Sequence, residues 1–363
     1  MSLPAITHCD APEMALLTAA LRKGAGELRE DAASWPFEQL RQCAEAGVFE
    51  WFLDPRWGGR GWSNRDIMTG YLELSAACLT TTFIITQYMG ACRRIATSGN
   101  DALAEELLPG LLNGSSFATV GISHLTTSRR HLKQPVLRAT ETEAGFVLDG
   151  YSPWCTGATQ AEHVVLGATM EDGRELLLAA PMSLPGIEAQ APASLMALSA
   201  SQTGAVRCDG VEVPRRYLLA GPMENVMHQG VGASPGGLQT SVLAAGLARA
   251  ACRYMLAESE QRSELCTPAA SLSRETERLC SDLLDASEPG ADADQQRLRQ
   301  RANSLVTRST QAALGAAKGA GYIAGHPVGR WCREALFFLV WSCPQPVLSA
   351  HLCELAGVES LGD

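Results

Sequence analysis

The chain has 363 residues, a net charge of −10 and 46% hydrophobic residues. That length and apolar content are enough for about two or three domains of packed core and argue against wholesale disorder. The negative balance argues against a nucleic-acid-binding face, which needs clustered Lys and Arg to neutralise phosphates.

Residues 13 to 49 read as helix, with one apolar face from Leu16, Leu17, Ala20 and Leu21 and another from Phe37, Leu40, Cys43 and Val48 after Pro36. Asp54 to Gly61 is too rich in Gly and Pro to continue it. Residues 64 to 97 read as a mostly buried helix pair, and Glu105 to Leu112 as a shorter helix stopped by Asn113-Gly114. The period then changes. Val136 to Ala139, Phe146 to Leu148, Val164 to Leu166, Leu176 to Ala180 and Val211 to Val213 have strand character. Asp149-Gly150, Pro185-Gly186 and Asp209-Gly210 are predicted turns between them. The spacing predicts roughly six to eight short strands in a barrel or sandwich. From about Pro235 the helical period returns, with helices predicted at 271–286, 294–318 and 329–341 and a loop at Glu288 to Asp292.

No apolar run is long enough to span a bilayer. The N-terminal string carries Asp10 and Glu13 and lacks a basic start, so it does not read as a secretory signal. Twelve scattered cysteines without a CxxC pair read as reduced, small hydrophobes in a cytoplasmic protein, and no Cys or His grouping suggests a metal site.

Five strings follow one another along the chain. They are Trp57-Gly58-Gly59-Arg60-Gly61-Trp62-Ser63, Leu107-Leu108-Pro109-Gly110-Leu111-Leu112-Asn113-Gly114, Gly150-Tyr151-Ser152-Pro153-Trp154-Cys155-Thr156-Gly157, Val211-Glu212-Val213-Pro214, and Gly319-Ala320-Gly321-Tyr322 with Pro327-Val328-Gly329-Arg330 and Arg333-Glu334-Ala335. In that order, over nearly the whole chain, they resemble the acyl-CoA dehydrogenase family. The resemblance implies an α+β fold with an N-terminal helical domain (1–113), a middle β-barrel domain (114–224) and a C-terminal helical bundle (225–363). It implies FAD as cofactor, an acyl-CoA or carrier-bound acyl substrate, and a homodimer or homotetramer.

The same resemblance assigns candidate cofactor-binding residues. Ser123 stands where the family has a flavin-bonding Thr, and Ser128 near its pyrophosphate-binding Ser. Trp154 matches the Trp beside the ring, and Thr156 the hydroxyl residue two positions on. Arg262 matches an Arg that reaches FAD phosphates from a neighbouring subunit. Read alone, Ser123 and Ser128 are turn hydroxyls, Trp154 a core residue, Thr156 a strand residue and Arg262 a solvated helix charge.

The departures bear on function. The family's catalytic Glu falls at Ser342, in Trp341-Ser342-Cys343-Pro344, where a hydroxyl is not expected to act as base. A second branch places its Glu early in the first C-terminal helix, but Ser234-Pro235-Gly236-Gly237-Leu238 has no acid. Gly315 and Lys318 replace a Gln and a Gly of the cofactor motif, and Ser123-His124-Leu125 replaces its Thr-Glu-Pro. His124 and His228 are alternative proton acceptors or ordinary loop histidines. The expected function is flavin-dependent oxidation of the CH–CH group of an acyl thioester. A flavin monooxygenase of the same fold and a non-catalytic descendant that has lost FAD stand as alternatives.

Overall fold

The computed structural model describes residues 3–29, 31–126, 135–228 and 237–358. The N-terminal helical run is two helices, α1 (Glu13–Glu27) and α2 (Phe37–Glu45). It breaks where the Asp31 carboxylate accepts the backbone N–H groups of Ala33 and Ser34 and the Ser34 hydroxyl. Such a local side-chain turn competes with helix continuation. Helix α3 (Asn64–Ala77) starts at Ser63, whose hydroxyl accepts from the Asp66 N–H at 3.1 Å and donates to the Asp66 carboxylate at 2.6 Å. Helix α4 (Leu79–Ala96) follows, then α5 (Asp101–Leu112), capped by Asn100. Between α2 and α3 the glycine turn folds back so closely that a Cβ at Gly59 would sit 2.0 Å from the Leu53 carbonyl oxygen. Only glycine is tolerated at such an approach.

Among the described residues the middle of the chain forms an eight-stranded sheet and a short helix. In chain order these are β1 (Ala118–Gly121), helix α6 (Ser123–Thr126), β2 (Leu137–Glu141), β3 (Gly145–Cys155), β4 (His163–Thr169), β5 (Glu175–Pro181), β6 (Ile187–Ala189), β7 (Gly204–Pro214) and β8 (Leu218–Met223). The hydrogen-bonded order is β6-β7-β3-β2-β4-β5-β8, with β1 parallel to β4. Strands β4 and β5 are buried almost throughout, which explains their unbroken apolar runs. Strand β7 alternates buried and exposed positions through most of its length.

Two predicted turns are bulges instead. Asp149-Gly150 and Asp209-Gly210 lie inside β3 and β7, in the same antiparallel pair, where the register slips between Leu148 and Gly150. A Cβ at Gly150 would lie 2.2 Å from the Val136 carbonyl oxygen, so this glycine marks a close backbone approach. Pro185-Gly186 is a turn, as expected.

Among the described residues five α-helices follow: α7 (Leu238–Ser259), α8 (Cys266–Asp285), α9 (Gln295–Ala317), α10 (Pro327–Phe337) and α11 (Gln345–Ala356). The first is buried along most of its length and packs on α3, α8 and α9. At Gly246 of α7 an added Cβ would lie 1.9 Å from Ser75 Oγ and 2.6 Å from the Leu72 carbonyl oxygen. Arg249 joins this packing, bonding Glu73 of α3 at 2.9 Å and Glu277 of α8 at 2.8 Å.

Contacts divide the chain into two compact units, each assembled from separated stretches. One comprises 1–7, 28–62 and 83–235; the other comprises 8–27, 63–82 and 236–363. In the first, Trp51 and Tyr88 are fully buried, and Tyr88 meets Phe49 edge-on at 4.8 Å. In the second, Leu17, Leu21, Leu72 and Leu74 join Leu243, Leu247, Leu305 and Val306 among the buried residues. All twelve cysteines are free thiols.

Candidate functional site

The end of β3 delivers the two candidate residues best defined by the sheet. Trp154 is 51% exposed, so it is not the core residue that a lone Trp suggests. Two positions on, Thr156 is 2% exposed, and its hydroxyl lies 3.0 Å from that of Thr203. The Thr203 hydroxyl is in turn 2.8 Å from that of Ser201. The chain reverses at Gly157 (φ 64), where a Cβ would lie 2.4 Å from the Trp35 ring. Gln202 holds the neighbouring loop: its side-chain oxygen accepts from Thr159 at 2.7 Å and Gln160 at 2.9 Å, and its amide donates to the Ser34 carbonyl. Thr156 is therefore held by residues that sequence reading did not single out, since Ser201 to Thr203 show no motif.

Ser123 opens α6 directly after β1. Its Oγ is buried without a hydrogen-bond partner among the described residues, while its carbonyl accepts from Thr126 Oγ1 at 3.0 Å. His124, beside it, is buried, with Nε2 2.8 Å from the Gly167 carbonyl oxygen on β4. Burial pushes its pKa down to about 4, partly opposed by that carbonyl. A group so weakly basic makes a poor general base near neutrality. His228 is an exposed residue at 226–228, just after β8. Ser128, with Arg129 and Arg130, lies outside the described residues.

The C-terminal candidates are placed as follows. Arg262 lies between α7 and α8 with 23% of its side chain exposed. Its guanidinium donates to the Ala316 carbonyl at 2.5 Å and pairs with Glu258 at 3.4 Å and Glu264 at 3.3 Å. It is committed to local partners rather than being a solvated charge. Gly315 sits within α9, and Lys318 follows that helix with φ 54 and ψ −147, a backbone conformation suited to glycine.

Ser342 occupies the turn after α10 with φ 46, left-handed for a non-glycine residue. Two side chains from α9 hold that turn. Arg299 Nη2 donates to the carbonyls of Phe338 at 3.1 Å and Trp341 at 3.0 Å, and Asn303 Nδ2 donates to that of Phe338 at 3.2 Å. Arg299 is 2% exposed, and burial lowers its pKa to about 10. The carboxylate of Glu334, within α10, is buried 3.7 Å from Arg330 Nε, so the structure supplies it with a cation. Among the described residues no group of three or more His, Cys, Asp or Glu is arranged to hold a metal, and no helix is long and apolar enough to cross a membrane.

Helical ends flanking a β-rich middle define an α+β protein of the acyl-CoA dehydrogenase fold. Residues 15–115 match the family described as acyl-CoA dehydrogenase, N-terminal domain. By this match and by its fold the chain is similar to the acyl-CoA dehydrogenases. A curated relative, benzylmalonyl-CoA dehydrogenase of Aromatoleum aromaticum, is 22% identical over 193 residues, covering 53% of this chain. The match spans about half, 51%, of that relative's length. Butyryl-CoA dehydrogenase from Megasphaera elsdenii superposes with a TM-score of 0.76 at 18% identity, over 93% of this chain and 98% of that one. A glutaryl-CoA dehydrogenase from Mycobacterium smegmatis in complex with FADH2 does so at 0.76 and 17%, over 98% and 97%.

Proposed function

We propose that this protein is an FAD-dependent oxidoreductase acting on an acyl thioester. The observation that carries the reading is the half-exposed Trp154 at the end of β3, with Thr156 two residues beyond it. An indole left open at a sheet end supplies the flat apolar wall that an isoalloxazine ring requires. The unpartnered Ser123 hydroxyl fits the same group, because a buried hydroxyl without a partner calls for a polar ligand atom. Thr156 fits as well: its hydroxyl can accept from Thr203 and still donate outward. Arg262 fits less readily, because reaching a phosphate means leaving Glu258, Glu264 and the Ala316 carbonyl.

When bound, FAD would supply the acceptor for the hydride that leaves the acyl chain. The chain's own part is to hold the ring against Trp154 and to donate hydrogen bonds from Ser123 and Thr156. Ser342, at the position of the family's Glu, removes no proton, since a hydroxyl lacking its own base is far too weak for that step. The absence of a carboxylate there favours a second reading, a flavin monooxygenase of this fold, which needs no such base.

We further propose a homodimer or homotetramer and a cytoplasmic location. The test is the visible spectrum of the purified protein, followed by anaerobic mixing with a panel of acyl thioesters. Absorbance near 450 nm that bleaches on mixing is the expected result. A flavin that bleaches with no thioester, yet supports oxygen-dependent product formation with an added reductase, moves the assignment to the second reading. A colourless protein that takes up no FAD overturns both.

A further inference from the structure

The corner where β1 runs into α6 holds two neighbouring residues, each with one side-chain polar atom left unpartnered among the described residues. His124 is 8% exposed, and its Nε2 lies 2.8 Å from the Gly167 carbonyl oxygen. A carbonyl can only accept, so Nε2 carries the ring proton and Nδ1 is a bare lone pair. Among the described residues that buried Nδ1 has no hydrogen-bond partner, and neither has the buried Oγ of Ser123. A buried polar atom left in that state is costly, and a ligand that pairs it recovers that cost. The β4 backbone fixes the tautomer, so the unfilled acceptor is set by the fold itself.

The two atoms ask for different things. Nδ1 can only accept, whereas the serine hydroxyl can also donate. A phosphate or a carboxylate brings no proton and leaves Nδ1 unsatisfied, and a hydrocarbon satisfies neither atom. A ligand edge that presents an N–H beside an acceptor satisfies both. Resting on the flavin reading above, we propose that His124 Nδ1 accepts a hydrogen bond from a cofactor N–H group while Ser123 Oγ donates to the acceptor beside it. Two parts of FAD carry that pattern. The pyrimidine edge of the isoalloxazine has an imide N–H flanked by carbonyls, and adenine has an amino group beside a ring nitrogen. His124 is on this reading a positioning residue for the cofactor and not the base of the reaction.

The experiment titrates apoprotein with FAD, with FAD methylated at the imide nitrogen, and with ADP, following flavin fluorescence or heat. It uses the wild-type chain and His124→Gln, whose amide N–H can keep the bond to Gly167 while the acceptor at the Nδ1 position is lost. The expected result is FAD binding to wild type about tenfold tighter than methylated FAD, the size of one lost hydrogen bond. In His124→Gln, FAD binding falls about tenfold and the methyl group no longer matters. If ADP binding falls in the variant while methylation is without effect, the donor is the adenine amine. A second readout does not depend on the variant: the Nδ1 nitrogen-15 resonance of wild-type His124 should move upfield when FAD is added. Wild type that binds FAD with no methyl effect, no loss in the variant for FAD or ADP, and no Nδ1 shift overturns this inference and leaves the flavoprotein reading intact. Wild type that takes up no FAD overturns both.

Discussion

His124→Gln should change how the protein responds to acid. In the folded chain burial holds the imidazole at a pKa of about 4, against 6.5 in its ordinary state. The folded state therefore refuses a proton that the unfolded chain accepts. Stability rises with pH wherever the unfolded state binds more protons, so the contribution of neutral His124 is complete above about pH 6.5. It declines as pH falls from 6.5 towards 4 and then levels off, the full loss being about 3 kcal/mol. At about pH 5 the loss is about 2 kcal/mol, because the unfolded imidazole is then almost fully protonated and the folded one is not. Glutamine does not titrate, so the variant escapes this share. His163, whose pKa burial also lowers, pulls in the same direction in both proteins and cancels in the comparison. Urea unfolding at about pH 7.5 and about pH 5, followed by tryptophan fluorescence, measures the difference. Equal acid losses in the two proteins, within about 0.5 kcal/mol, would show that the ring is not buried neutral against Gly167.

Three other substitutions test separate parts of the structure. Lys318→Gly should stabilise the protein by about 1 kcal/mol, since relief of a backbone conformation suited to glycine outweighs the extra freedom of the unfolded chain; a lower melting midpoint refutes that backbone. Gly246→Ala should cost about 1–2 kcal/mol, because contact with the Leu72 carbonyl exceeds the gain in helix propensity. An unchanged midpoint there would mean that α7 and α3 do not approach so closely. Ser342→Glu should introduce or strengthen thioester-dependent bleaching of bound flavin under anaerobic conditions; a variant identical to wild type in oxidation and ligand binding removes Ser342 from the position of the family's Glu.

Sequence reading reached the order of helices and strands because hydrophobic period and turn chemistry act locally. It failed where tertiary approach overrides a local signal. Asp149-Gly150 has the composition of a tight turn, yet the closeness of the Val136 carbonyl makes it a bulge within a longer strand. Helix α11 was concealed by Pro344 and Pro346, although proline is compatible with a first helical turn. At the candidate site, the pairing of Arg262 with Glu258 follows from four-residue spacing, but its bond to the Ala316 carbonyl comes from 54 residues away. The exposure of Trp154 and the tautomer of His124 depend on what packs nearby, and periodicity carries no record of that. Arg299 reads as one more charge on a polar helix, yet it holds the turn that contains Ser342.

The discontinuous make-up of the two units bears on biosynthesis. One unit needs residues 8–27 and 63–82 together with 236–363. During translation its early members leave the ribosome long before the late ones. At about 5–20 residues per second the wait after Thr82 is roughly 15–60 s. For that interval the apolar faces around Leu17, Leu21, Leu72 and Leu74, all buried in the finished protein, lack their C-terminal partners. The nascent chain is thus a natural client for holdase chaperones, and a fragment ending before α7 would emerge with those faces bare.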